Sequence, residues 1–186
     1  MGTATTLLVW TFGAWVLLEI ALVLGGAGRG GGRDAGSMRW MVLCVVISFL
    51  VGVRLAQQPE GALPDPEHTI WVGLVVLWAG LAFRVLSILW LGRLFNAAVV
   101  IQRRHRLVTS GPYRLVRHPS YTGALAAAAG LGIAAGHWTT AAVFALGWLA
   151  GLAYRIPVEE AAMREAFGRA YDDYCARTRR LIPLIY

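Results

Sequence analysis

The sequence predicts an all-α integral membrane protein: five transmembrane helices, the fourth and fifth forming a tight hairpin, followed by an amphipathic C-terminal helix on the cytoplasmic side. Three observations carry this. Hydrophobic residues fill 58% of the 186 positions and charged ones only 15%, and mean hydropathy is +0.59, outside the range of an ordinary soluble domain. The apolar residues are gathered into segments near the ~20 residues that a bilayer crossing needs. The loops between those segments alternate in charge.

The first span is expected at roughly 4–24. No charged residue precedes it and no small-residue cleavage signal follows, so it is expected to stay in place as a helix and not to be removed as a signal peptide. The second and third fall at roughly 39–57 and 70–91. Segments 120–136 and 138–154 are shorter and joined only through Gly136 and His137, the pattern of a helical hairpin with a very tight outer turn. After Pro157, Met163, Phe167, Tyr171 and Tyr174 recur at near-helical spacing opposite Glu165, Arg169, Asp172 and Asp173, predicting the amphipathic helix.

Loop charge sets the orientation. Residues 25–38 carry Arg29 and Arg33 with Arg39 at their edge, whereas 58–69 carry Glu60, Asp65 and Glu67 and no arginine. Segment 92–119 holds Arg93, Arg103, Arg104, Arg106, Arg114 and Arg117, and the tail after residue 154 holds six more arginines. Basic loops remain inside, so the N-terminus and 58–69 face outward and the C-terminus is cytoplasmic. Trp40, Trp71, Trp90 and Trp138 fall near span ends, where interfacial tryptophans collect. The chain divides into a three-span N-terminal half, 1–91, and a second half, 92–186, within one membrane domain. All seventeen basic residues are arginine, a bias expected from a GC-rich genome and pointing to a prokaryotic plasma membrane.

Several functions are disfavoured. The arginines flank apolar segments and form no stripe on a soluble face, so nucleic acid is not the expected partner. Cys44 and Cys175 are far apart and have no neighbouring His/Cys cluster, which speaks against a metal site or a disulfide framework. Gly26, Gly28 and Gly31 match G-x-G-x-x-G, yet no strand precedes them; the seven glycines in 25–36 read as a flexible linker.

The charged residues at span ends carry the chemistry. Pro119 pushes His118 out of helical geometry and opens the fourth span, presenting the histidine at a helix entrance. Arg117 and His118 there can bind an anionic or polar cofactor group, with Tyr113 and Tyr121 as aromatic walls bearing hydroxyls. Taken alone, the R-H-P run favours the plainer reading of interfacial anchors at a helix start. Glu159 and Glu160, just beyond Pro157, suit the first turn of a helix; being adjacent, they point about 100° apart and serve different partners. Arg155 stands four residues before Glu159, the spacing of an ion pair on a continuous helix. Glu19 and Arg84 are intramembrane charges, candidates either for a structural pair or for a substrate path.

These pieces, in this order, resemble the isoprenylcysteine carboxyl methyltransferase family and, more distantly, the phospholipid methyltransferases. The similarity runs from Leu91-Gly-Arg93, through His105 to Tyr113 and Arg117-His-Pro-Ser-Tyr121, to Arg155-Ile-Pro-Val-Glu-Glu160. It continues through Phe167-Gly168, Tyr171, Tyr174 and Thr178 to Pro183, about half the chain. The resemblance implies S-adenosyl-L-methionine held between the cytoplasmic helix ends and the C-terminal segment, with a lipophilic substrate arriving laterally from the bilayer. It places Tyr113, Arg117, His118, Tyr121 and Glu160 at cofactor-binding positions and Arg155 and Glu159 beside the reacting methyl and the acceptor. A membrane reductase of the steroid-reductase type using NADPH, or a non-catalytic membrane module, are the alternatives.

The topology has a direct check. A cysteine placed at Gly61 is expected to react with an impermeant thiol reagent in intact cells, and labelling only after lysis would invert the orientation.

Overall fold

The computed structural model describes residues 3–27, 36–95 and 107–182. Most of the glycine-rich linker, and Arg103, Arg104 and Arg106, lie outside them. Among the described residues there are six α-helices: α1 (Thr3–Ala27), α2 (Ser37–Leu55), α3 (Pro66–Leu91), α4 (Pro119–Ala134), α5 (Trp138–Phe167) and α6 (Arg169–Arg177). Two 3-10 turns, Gly92–Leu94 and Gly111–Arg114, lie between α3 and α4, and no β-strand occurs among the described residues.

Three of these helices, α2, α3 and α5, are long and apolar enough to cross a membrane. Within α1 the apolar stretch Thr5–Ala21 is shorter, and α4 has only 16 residues. Leu50, Leu89 and Leu146 are more than half exposed, so large side chains cover the outside of the bundle as well as its core. Such an exterior is stable only against lipid. Trp40, Trp71, Trp90 and Trp138 are also exposed near helix ends, where the sequence pattern puts the interface.

Packing is tightest where side chains are smallest. Helices α3 and α4 run antiparallel with glycine and alanine at their contact. A methyl on Gly80 would lie 2.5 Å from the Ala127 nitrogen, and one on Gly123 would lie 2.6 Å from the Arg84 nitrogen. In lipid, where apolar burial gives helices little reason to associate, close backbone approach of this kind is what holds them together. Helix α5 packs on α2 and on α4, so α3 and α2 of the first half each grip a helix of the second.

The hairpin turn is Ala135–His137, with Gly136 in the left-handed region at φ +76°. Buried His137 fastens it to the loop before α3: its Nε2 is 2.9 Å from the Gln58 carbonyl, and the Leu63 amide donates to the Gly136 carbonyl at 2.7 Å.

Two expectations for the tail are corrected. Pro157 does not end a helix: α5 runs through it for 30 residues, about 45 Å at 1.5 Å per residue. Proline costs one backbone bond and bends the helix, but the buried Arg155, Ile156 and Glu160 on either side hold it together. Glu159 and Glu160 therefore lie in a helix interior, not a first turn. The break comes at Gly168, at φ +52°, so Met163 and Phe167 belong to α5, while Tyr171 and Tyr174 form the buried face of α6.

Gly80→Leu should force α3 and α4 apart. A thermal-unfolding midpoint well below that of the parent protein in the same detergent is expected, equivalent to at least the about 1–3 kcal/mol typical of overpacking.

Candidate functional site

The charged residues singled out from the sequence converge at one end of the bundle, where α3 and α5 emerge and α4 begins. Pro119 opens α4, and His118 caps it with non-helical backbone. The chain before it forms a single parallel bridge with the tail, Val116 beside Arg179, and the Arg117 and His118 amides donate to the Arg179 and Arg180 carbonyls at 2.7 and 3.0 Å. The C-terminal segment is thereby laid across the helix entrance.

Glu160 is the centre of this end. Its carboxylate is fully buried and accepts from Arg117 Nε at 3.0 Å and from Arg180 Nη2 at 3.0 Å, with Arg164 Nη2 at 3.6 Å. Arg117 reaches further, donating through Nη1 to the Cys175 carbonyl at 3.1 Å and to the Thr178 carbonyl. One carboxylate thus joins α5, the α4 entrance and the tail. His118 Nε2 is also enclosed, 3.5 Å from Glu160 Oε1, but makes no hydrogen bond. Such a buried donor or acceptor is usually satisfied, so this nitrogen is poised for a further partner.

Arg155 and Glu159, one turn apart on α5, are linked through a third residue. The Tyr121 hydroxyl donates to Glu159 Oε2 at 2.9 Å and accepts from Arg155 Nε at 3.3 Å. Tyr121 thus bridges the two residues whose spacing suggests a pair. Arg155 is almost wholly buried and also donates through Nη1 to Ser37 Oγ at 2.9 Å, at the start of α2. The Tyr121 ring stacks on His118, centroids 5.6 Å apart, joining the Glu160 cluster to the Arg155–Tyr121–Glu159 bridge.

Tyr113, in the 3-10 turn, sits slightly aside. Its hydroxyl donates to the Ser87 carbonyl at 3.3 Å, and its own carbonyl accepts from Tyr174 at 2.7 Å. Burial pushes the Tyr113, Tyr171 and Tyr174 hydroxyls well above the usual tyrosine range, so they remain donors at any physiological pH. Every residue singled out around the two motifs is therefore at this end, with Tyr113 at its edge. Ser37, Thr178 and Arg180 were not named as parts of it, although the last two lie in the stretch that carries the resemblance. Their signal is tertiary, because each is an ordinary residue whose partner lies far away in sequence.

A helical membrane protein with a buried charge cluster at one bundle end is the class that fold and site define. The comparisons narrow it. The family model for the isoprenylcysteine carboxyl methyltransferase (ICMT) family matches residues 71–165. A probable protein-S-isoprenylcysteine O-methyltransferase of Oryza sativa subsp. indica is 35% identical over 117 residues, 62% of this chain and 61% of that protein. Protein-S-isoprenylcysteine O-methyltransferase B of Arabidopsis thaliana is 35% identical over 127 residues, 66% of this chain and 64% of its own. Among solved structures, the eukaryotic intramembrane Ras methyltransferase ICMT superposes with a TM-score of 0.60 at 26% identity, over 83% of this chain and 55% of that one. The chain thus spans less than two thirds of the relatives it matches. It belongs to the isoprenylcysteine carboxyl methyltransferase family.

Removing the central carboxylate should be costly. Glu160→Ala leaves Arg117 buried without its counter-ion and is expected to lower stability by about 3–5 kcal/mol. His118→Ala, which removes a ring nitrogen without a hydrogen bond, should cost clearly less; equal midpoints in thermal unfolding would show that Glu160 does not hold this end together.

Proposed function

We propose that the protein is an S-adenosyl-L-methionine-dependent methyltransferase acting on the carboxylate of a lipophilic, isoprenylcysteine-like acceptor that enters from the bilayer. Family membership supports the reaction class. The observation that carries the site is the Tyr121 hydroxyl of α4 held between Arg155 and Glu159 of α5, the helix that runs out of the apolar layer.

The residues fit such a cofactor. A zwitterion with a sulfonium needs cations, acceptors and aromatic surface together. Arg117 and Arg180, gathered by the Glu160 carboxylate, are cationic donors of the kind the cofactor's carboxylate needs, and enclosed His118 Nε2 offers it a further contact. Tyr121 and Tyr113 supply aromatic surface, and Glu160 fixes the cations around it. When bound, the cofactor supplies a methyl group activated on a sulfonium. The protein's own residues then have to align and desolvate the acceptor. Arg155, fixed at Tyr121 and Ser37, is the cation that orients an acceptor carboxylate, which needs no proton removed. Glu159 holds the Tyr121 hydroxyl and with it the direction of the Arg155 guanidinium. An amine or thiol acceptor would instead need Glu159 as a base.

In this reading α1 and α4 also cross the bilayer, giving five spans, and the site end faces the cytoplasm as the arginine-rich loops require. Residues 92–186 form the cofactor-binding half and 1–91 the supporting half of one membrane domain.

Transfer of labelled methyl groups into lipid extracts and onto a farnesylated cysteine analogue tests the reaction, and calorimetric binding of S-adenosylhomocysteine against NADPH separates it from a reductase. Tyr121→Phe keeps the ring stacked on His118 and deletes the bridge. Losing hydrogen bonds to charged partners, about 1.5–3 kcal/mol, predicts turnover about 10–100-fold lower with S-adenosylhomocysteine affinity nearly unchanged. Arg155→Ala and Glu159→Ala should behave alike, and parallel loss of cofactor affinity in all three would reassign them to the cofactor site.

A further inference from the structure

Beside the site, inside the apolar layer, lies a second polar cluster. Arg84 of α3 is 95% buried and donates through Nη2 to Glu19 Oε2 of α1 at 2.7 Å. Through Nη1 it donates to Ser120 Oγ at 2.9 Å and to the Ser120 carbonyl at 3.2 Å. Glu19 is fixed in turn by the Trp15 indole at 2.9 Å, whose ring stacks on Trp148 of α5 at 6.3 Å. Arg84 Nε is enclosed and has no hydrogen-bond partner.

Held for stability alone, this pair is a poor choice. An ion pair removed from water rarely outperforms apolar residues of the same size, and here one donor remains unsatisfied as well. Charges at this depth are functional candidates by default. What the pair does accomplish is directional: the guanidinium holds both the side chain and the backbone of Ser120, the residue immediately before Tyr121 in the first turn of α4. Tyr121 in turn sets Arg155 and Glu159, so a shift of about 1 Å at the Ser120 backbone misplaces the whole bridge, a displacement large enough to cost about 100-fold in rate.

We propose that Arg84, oriented by Glu19, is a positioning residue for Tyr121 that acts through Ser120. Methyl transfer then depends on α1, a helix outside the residues 71–165 that match the family. The inference rests on the methyltransferase reading above.

The test uses the full chain in one detergent. Glu19→Leu/Arg84→Leu replaces the pair by apolar residues, and Ser120→Ala deletes only the hydroxyl. Thermal midpoint, S-adenosylhomocysteine affinity, and kcat and KM for a farnesylated cysteine analogue are measured on each. The double variant is expected to unfold at or above the parent's midpoint and to bind S-adenosylhomocysteine within about twofold, with kcat at least tenfold lower. Ser120→Ala should lose kcat severalfold, and it decides alone if the double variant does not fold. Parental kcat in either folded variant overturns the inference, as does loss of kcat only in step with cofactor affinity. A parent protein that binds no S-adenosylhomocysteine or transfers no methyl group removes the reading beneath it and the inference with it.

Discussion

The constraint on which this molecule depends is the neutralisation of one buried carboxylate. Glu160 lies on the part of α5 that runs past the apolar layer, and its two oxygens are taken up by Arg117 from the α4 entrance and Arg180 from the tail. These three segments are otherwise joined by few backbone bonds, the parallel bridge at Val116 and Arg179 and its two flanking amides. An unpaired charge in that position would be prohibitive, so the partners arrive together and the tail is ordered by the same event that forms the site. The tail in turn packs Tyr171 and Tyr174 against this end, which closes it from water.

The apolar part of the bundle obeys a different rule. In lipid there is no hydrophobic reason for α3 and α4 to meet, and contact comes from small residues that bring backbones close. Gly80 and Gly123 admit the opposing backbone where any larger side chain would separate the helices. This closeness also brings Arg84 within reach of Ser120, since Gly123 lies directly against the Arg84 backbone. Packing and polar geometry are therefore coupled: the glycines that hold the helices together set the distance over which the guanidinium acts.

The arrangement suits transfer to a lipophilic acceptor. In the proposed function Arg155 and Glu159 sit where α5 leaves the apolar layer, so an acceptor with a buried tail and a charged head would meet Arg155 without leaving the bilayer. Neither Arg155 nor Tyr121 stands alone. Each is held by residues from other helices, Ser37 and Tyr121 among them for the arginine, Arg155 and Glu159 for the tyrosine. Preorganisation of this kind is what an alignment-driven reaction requires.

The sequence by itself determined the helical membrane class, the hairpin around Gly136 and the residues that gather at one end, because hydropathy, loop charge and the R-H-P and E-E motifs are local properties. It also named Glu19 and Arg84 as potential partners, since two opposite charges in apolar spans have few other ways to be neutralised. It misplaced the tail helix, for a proline in sequence reads as a stop, whereas buried neighbours on both sides carry α5 through Pro157 to Gly168. The partners inside the site were decided only by the tertiary structure. Arg155 and Glu159 have the spacing of a pair, and Tyr121, 34 residues before Arg155, places its hydroxyl between them. Ser37 reaches Arg155 across 118 residues and Arg180 reaches Glu160 from the segment beyond α6. Contacts between distant segments depend on how helices pack, and helix packing is fixed by the whole set of buried faces, not by any one stretch of sequence.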